Sequence, residues 1–175
     1  AEQLLAAADA VRQARVSALA QLDEGDADLA VARLSVRTSM RNQWPCMVQG
    51  MQSCGQIVRV HLRGAGAAAA GLALTARITR ESAELLGLHP GVPVQALSKA
   101  TAVRVLAATK APAPADSNQW PGRATRVSRG ELGDEVAAQL DAGVQMVGFA
   151  APASGVRTRS RLVLAVDESA VVLAV

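Results

Sequence analysis

The hydrophobic pattern changes period along the chain. Over residues 1–22 apolar side chains recur every three or four positions, at Leu4, Ala8, Val11, Ala18 and Leu22, with Arg15 interrupting the seam. The segment has no Gly or Pro and is rich in Ala, Leu and Gln, so the spacing predicts an amphipathic helix that needs a partner surface. Asp23-Glu24-Gly25-Asp26 ends it, and Asp28 to Leu34 reads as a short second helical piece. Further on the period is two. Val58, Val60 and Leu62 alternate with Arg59, His61 and Arg63, the pattern of a half-buried strand. Leu72 to Ile78, Val92 to Leu97 and Val103 to Ala107 read as three more strands. Gly64 to Gly71 reads as a mobile turn of small residues. Thr79-Arg80-Glu81-Ser82 opens a short helix that Gly87 and Pro90 close.

After the stiff stretch Ala111-Pro112-Ala113-Pro114-Ala115 the chain repeats itself. Asn42-Gln43-Trp44-Pro45 returns as Asn118-Gln119-Trp120-Pro121, and Ala100-Thr101-Ala102-Val103 is answered by Glu168-Ser169-Ala170-Val171. A β unit of this length, repeated once, closes most simply as a small barrel, which hides its edges. The expected fold class is therefore mainly β: two tandem OB-like five-stranded β-barrels behind an amphipathic helical segment. The expected boundaries are 1–35 for the helical linking and dimerisation segment, 36–110 for the first module and 111–175 for the second.

Composition narrows the function. Of 175 residues, 37 are Ala and 21 are Val, against two Trp, one Phe and no Tyr. A core of small aliphatics follows, and proteins that stack sugars or bases on aromatic platforms are excluded. Eighteen Lys and Arg against fifteen Asp and Glu leave +3, too mild for a nucleic-acid arm. Cys46 and Cys54 form neither a CxxC nor a disulfide framework, and His61 and His89 do not sit at zinc-finger spacing from them. Both cysteines read as buried small apolar residues in a reducing cytoplasm. No apolar run is long enough to cross a membrane, and no secretory leader opens the chain. The chain begins with Ala1, already in helical sequence, so residues upstream are expected. Catalysis is not expected: there are two His, no clustered carboxylates, no GxSxG, and Gly64-Ala65-Gly66 is not a phosphate loop.

The remaining polar signal is anionic. Thr79 and Ser82, at the N-cap and third position of a short helix, would place two hydroxyls beside unpaired N–H groups, a seat for a tetrahedral oxyanion. Lys99 follows a strand in an apolar neighbourhood, with no carboxylate near it in sequence. Ser39-Met40-Arg41 offers a hydroxyl, backbone N–H groups and a guanidinium fork. The repeat places Asp167 opposite Lys99 and Ser117 opposite Arg41. At the same offset as Asp167, Val147 falls opposite Thr79 and Ala150 opposite Ser82, so the second module would lack the whole donor set. Arg157, Arg159 and Arg161 alternate as a solvated face of one strand.

Three strings carry a family resemblance: Thr38-Ser39-Met40-Arg41-Asn42-Gln43-Trp44, then Thr79-Arg80-Glu81-Ser82 with Leu86-Gly87-Leu88, then Ser98-Lys99-Ala100. Together they resemble the molybdate-binding Mop domain. The doubled unit behind a helical segment resembles the C-terminal di-Mop region of ModE-type molybdate-responsive transcriptional regulators. Met40 departs from the motif, where Ala is usual. The resemblance implies a cytoplasmic homodimer that is not an enzyme and takes molybdate or tungstate as ligand, with no organic cofactor and no metal site. It implies an oxyanion held between subunits by Ser39, Met40 and Arg41 from one copy and by Thr79, Ser82 and Lys99 from the other. DNA would be met only through an N-terminal winged helix-turn-helix domain absent from this chain, and no membrane is involved. Molbindin-type storage proteins, also built from Mop modules, are the alternative. A regulatory tail of a transporter ATPase is a third.

Overall fold

The computed structural model describes residues 37–109 and 115–175. The helices expected over 1–22 and 28–34 lie outside the described residues. Ten strands follow in chain order: β1 (Asn42–Cys54), β2 (Ile57–Gly64), β3 (Ala73–Thr79), β4 (Pro93–Ser98), β5 (Arg104–Ala107), β6 (Ser117–Ser128), β7 (Asp134–Leu140), β8 (Gln145–Ala150), β9 (Arg161–Asp167) and β10 (Val172–Ala174). One helix, α1 (Arg80–Leu85), follows β3. The protein is mainly β, and none of the described helices is long and apolar enough to cross a membrane.

The strands form a five-stranded sheet, β10-β4-β1-β2-β3, and a closed barrel, β5-β8-β7-β6-β9. The order does not follow the sequence. β5 leaves its neighbours β1–β4 and enters the barrel, antiparallel to β9 and parallel to β8. β10 returns the exchange by pairing with β4. Gly148 permits the crossing: a Cβ there would lie 2.6 Å from Val103 Cγ1 and 2.8 Å from the Val103 carbonyl oxygen. That carbonyl accepts from Phe149 N–H at 2.9 Å, the bond that brings the β5 end of the chain against β8.

The two sheets share their internal register. Cys46 faces Gly64 in the first, and Gly122 faces Leu140 in the barrel. Each long strand breaks register at the same place, between Val48 and Gly50 in β1 and between Ala124 and Arg126 in β6. An extra residue there bends the strand so that one strand serves two sides of its sheet. Alternation then fills the interior with Val58, Val60, Leu62, Leu74 and Ala76 on one side and Val136, Ala138, Leu140, Leu162 and Leu164 on the other.

The repeated Asn-x-Trp joins the two halves. Asn42 Nδ2–H donates to the Val147 carbonyl and its Oδ1 accepts from Val147 N–H, both at 2.8 Å. Asn118 does the same to Thr75, at 2.9 and 2.7 Å. Each carboxamide behaves as a peptide group laid against the outer edge of the other half's strand, β8 or β3. Trp44 and Trp120 extend the pattern, donating their indole N–H to the Gln145 and Ala73 carbonyls at 3.3 and 2.9 Å. Their rings meet with centroids 6.2 Å apart and planes tilted by 49°. The scarce aromatics are thus spent at the junction, where large rigid side chains with one polar tip fit best.

Three expectations are corrected. The Gly64–Gly71 turn is not loose: it carries a 3-10 turn (Ala67–Ala69), Ala69 is buried, and Gly64 N–H donates to the Leu72 carbonyl at 2.8 Å. Gly64 lies against it so closely that a Cβ would meet the Ala69 oxygen at 2.1 Å. Arg157 and Arg159 lie in the connection before β9, not on a strand face, and Arg161 forms a two-pronged pair with Asp141 at 2.7 and 2.8 Å. Finally, Cys46 is buried but Cys54, at the end of β1 beside the Gly55-Gln56 turn, is exposed. Burial pushes the Cys46 thiol up to about 12. A thiol reagent at pH 8 should therefore modify one cysteine rapidly in the native protein and two after denaturation, counted by intact mass.

Candidate functional site

Four of the six predicted residues, Ser39, Met40, Arg41 and Lys99, lie just beyond the paired end of β1 and β4. Asn42 faces Ser98 at the end of the β1–β4 ladder, and Arg41 and Lys99 are the next residues beyond that pair. Lys99 is exposed, at the entrance to a 3-10 turn (Ala100–Ala102), and makes no ion pair among the described residues. Ser39 is exposed on the approach to β1. Met40 is half-buried; its N–H points to the Thr38 hydroxyl at 3.4 Å, and its carbonyl accepts from Gln43 Nε2 at 3.0 Å. Gln43 therefore fixes the turn that presents Ser39 and Arg41.

Thr79 and Ser82 form a separate group. Thr79 pairs with Ile57, which in turn pairs with Cys54, the last residue of β1. Within one chain this places them at the other end of β1's ladder from Arg41. Thr79 caps α1: its hydroxyl accepts from Ser82 N–H at 3.1 Å, and the two hydroxyls lie 2.8 Å apart. The N–H of Ser82 is thus already used, so this group offers hydroxyls in place of the open helix N-terminus expected from the sequence. Arg80 is turned away, donating from Nε and Nη2 to the Gly55 carbonyl at 3.2 and 2.7 Å, which ties α1 to the β1–β2 turn.

The barrel shows what became of the equivalent positions. Asn118 faces Val166 and Ser117 faces Asp167, so Asp167 occupies the place of Lys99 and Ser117 that of Arg41. The Ser117 hydroxyl donates to Asp167 at 3.1 Å and accepts from Arg104 Nη2 at 3.2 Å, while Arg104 stands 3.7 Å from Asp167. This corner is satisfied internally and carries a carboxylate. The alignment of the hydroxyls needs correcting. Val58 faces Ile78 as Asp134 faces Ala150, so Ala151 answers Thr79 and Ser154 answers Ser82. The connections in the barrel are shorter, so a single offset misaligns β8. One hydroxyl is retained there, in a turn instead of a helix.

Two groups near the cationic corner were not singled out from sequence. Glu135, second residue of β7, accepts from Arg41 Nη1 at 2.7 Å. Asn42 is 3% exposed, and its exact recurrence as Asn118 is the sequence signal that marks it. Among the described residues no cluster of three or more His, Cys, Asp or Glu side chains is placed to hold a metal ion.

With this geometry the class of the fold can be compared. Residues 38–105 match the TOBE domain, a stretch that runs from the Ser39 turn through α1 and Lys99 to the first residues of β5. The chain is similar to a solved structure of the cytoplasmic molybdate-binding protein ModG with molybdate bound, at 23% identity and a TM-score of 0.72, covering 80% of this chain and 99% of that one. The likeness establishes an OB-like fold shared with that protein. No curated protein sequence matches the chain.

Proposed function

We propose that this protein binds a tetrahedral oxyanion, molybdate or tungstate, between two copies of the chain, through Ser39, Met40, Arg41, Thr79, Ser82 and Lys99. The observation that carries the reading is that Arg41, just before β1, and the Thr79–Ser82 hydroxyls lie at opposite ends of β1's ladder within one chain. Neither group alone surrounds an anion. A dianion stripped of water needs both charge and a full shell of donors, which Ser39, Met40 and Arg41 of one copy with Thr79, Ser82 and Lys99 of another would supply. The TOBE match and the likeness to molybdate-bound ModG support the same ligand.

In this reading the chain is the effector region of a cytoplasmic, homodimeric molybdenum-dependent regulator. The 1–35 segment passes the bound state to a DNA-binding domain upstream, with no enzyme activity, organic cofactor or membrane involved. A storage role is the second reading, favoured by the likeness to ModG over nearly that whole chain. Calorimetric titration with molybdate tests the ligand; absence of binding at 100-fold molar excess would sink the proposal. Light scattering separates the roles, a dimer supporting the regulator and a trimer or hexamer the store. Asp167→Asn should leave the number of molybdate ions bound per chain unchanged in that titration, because Arg104 and Ser117 already occupy that corner.

A further inference from the structure

The cationic corner is not built by the TOBE-matched segment alone. Glu135 belongs to β7, in the barrel, outside residues 38–105. Its Oε2 takes the Arg41 guanidinium at 2.7 Å, and its Oε1 lies 3.5 Å from Arg126 Nη2. The side chain of Glu135 is 26% exposed and that of Arg41 47% exposed, so the pair sits at a rim from which either partner can turn. The corresponding position in the first sheet is Arg59, since Met51 faces Val60 as Val127 faces Val136. Arg59 is committed elsewhere, to the buried Glu168. The carboxylate on Arg41 is therefore particular to the barrel's side of the junction.

Resting on the oxyanion reading above, we propose that Glu135 is a built-in competitor that occupies Arg41 until the oxyanion displaces it, so that the second half of the chain sets the affinity of a site it does not otherwise form. A guanidinium fork binds a carboxylate and a tetrahedral oxyanion through the same N–H groups, so the two compete for Arg41. A carboxylate left in place would also repel a dianion. Arg126, already 3.5 Å from Oε1, stays with the displaced carboxylate, so exchange does not strand a charge. The corner then discriminates by charge: a dianion gains more from Arg41 and Lys99 together than a monoanion does, and only the better bidder removes Glu135.

Calorimetric titration of molybdate into the full chain, Glu135→Gln and Asp141→Asn tests this. Asp141 is the matched control: it removes the same unit of negative charge, in the turn just after the far end of β7 and roughly 20 Å from Glu135, from a pair with Arg161. Glu135→Gln should bind molybdate about two- to fivefold more tightly, the range set by losing a partly exposed ion pair, with Asp141→Asn unchanged. Glu135→Ala should show the same gain, which separates the effect from any new amide contact. Equal or weaker binding by Glu135→Gln, with the unmodified chain binding normally, overturns the competitor. So does an equal gain in Asp141→Asn, which would mean a general field effect. If the unmodified chain and all variants fail to bind molybdate, the oxyanion reading itself falls and the competitor with it.

Discussion

Lys99→Ala is expected to weaken molybdate binding by about 100-fold or more, and Arg41→Ala by a similar factor. The reasoning is one of desolvation. Lys99 is exposed and has no carboxylate partner among the described residues, so its charge is uncommitted when a dianion arrives. Its loss removes a full charge from the shell around the anion and leaves the remaining donors facing an undercompensated dianion. Arg41 differs in one respect, since it must first part from Glu135, and Arg41→Lys should keep the charge while losing the two-pronged grip. Titration calorimetry reads all three. The variants should melt within about 2 °C of the unmodified protein, because both side chains are exposed and neither packs in the core. Full-strength binding by Lys99→Ala would remove it from the ligand set.

The second large effect concerns stability. Asn42→Ala should cost about 3–5 kcal/mol and lower the melting temperature by roughly 10 °C. The residue is 3% exposed, and its carboxamide satisfies both the N–H and the carbonyl of Val147. Alanine leaves both backbone groups buried without partners, which is the expensive way to lose a hydrogen bond. Asn118→Ala should cost less through Thr75, because Asn118 is only half-buried and water can reach the freed groups. Asn42→Asp is the sharper test: it keeps the shape and the acceptor but loses the donor to the Val147 carbonyl and buries a charge. Differential scanning calorimetry should place it no higher than the alanine variant. A loss below about 1 kcal/mol for Asn42→Ala would mean that water replaces the carboxamide and that the brace is ornamental.

Much of the β structure was legible in the residues. Alternation located β2, β3, β4 and β5 to within a residue or so, and the Thr79 cap located α1. β1 was not read as a strand, because its opening Asn42-Gln43-Trp44-Pro45 mixes polar residues with a proline and looks like a turn. The proline is tolerated there because its missing donor is not required, while its carbonyl still accepts from Ala65 N–H at 2.8 Å. Alternation also says which face of a strand is buried and nothing about which sheet receives it, so the exchange of β5 and β10 was invisible. Arg41 and Lys99 were each legible by themselves, Arg41 in the Ser39-Met40-Arg41 string and Lys99 directly after β4. Glu135 could not be found that way, since it meets Arg41 across 94 positions of sequence and its own neighbours mark it only as a strand residue.

The exchange of β5 and β10 has a consequence for how the protein is made. β4 obtains its outer neighbour from residues 172–174. A chain emerging from the ribosome at the usual pace reaches them about 70 residues and roughly 4–15 s after β4 is complete. During that interval β4 presents an unpaired edge, and β5 waits for β8 and β9. The two halves are therefore not beads that fold in turn. They acquire their final shape together, and a nascent chain stalled before β10 has an open strand that a second nascent chain on the same message could fill.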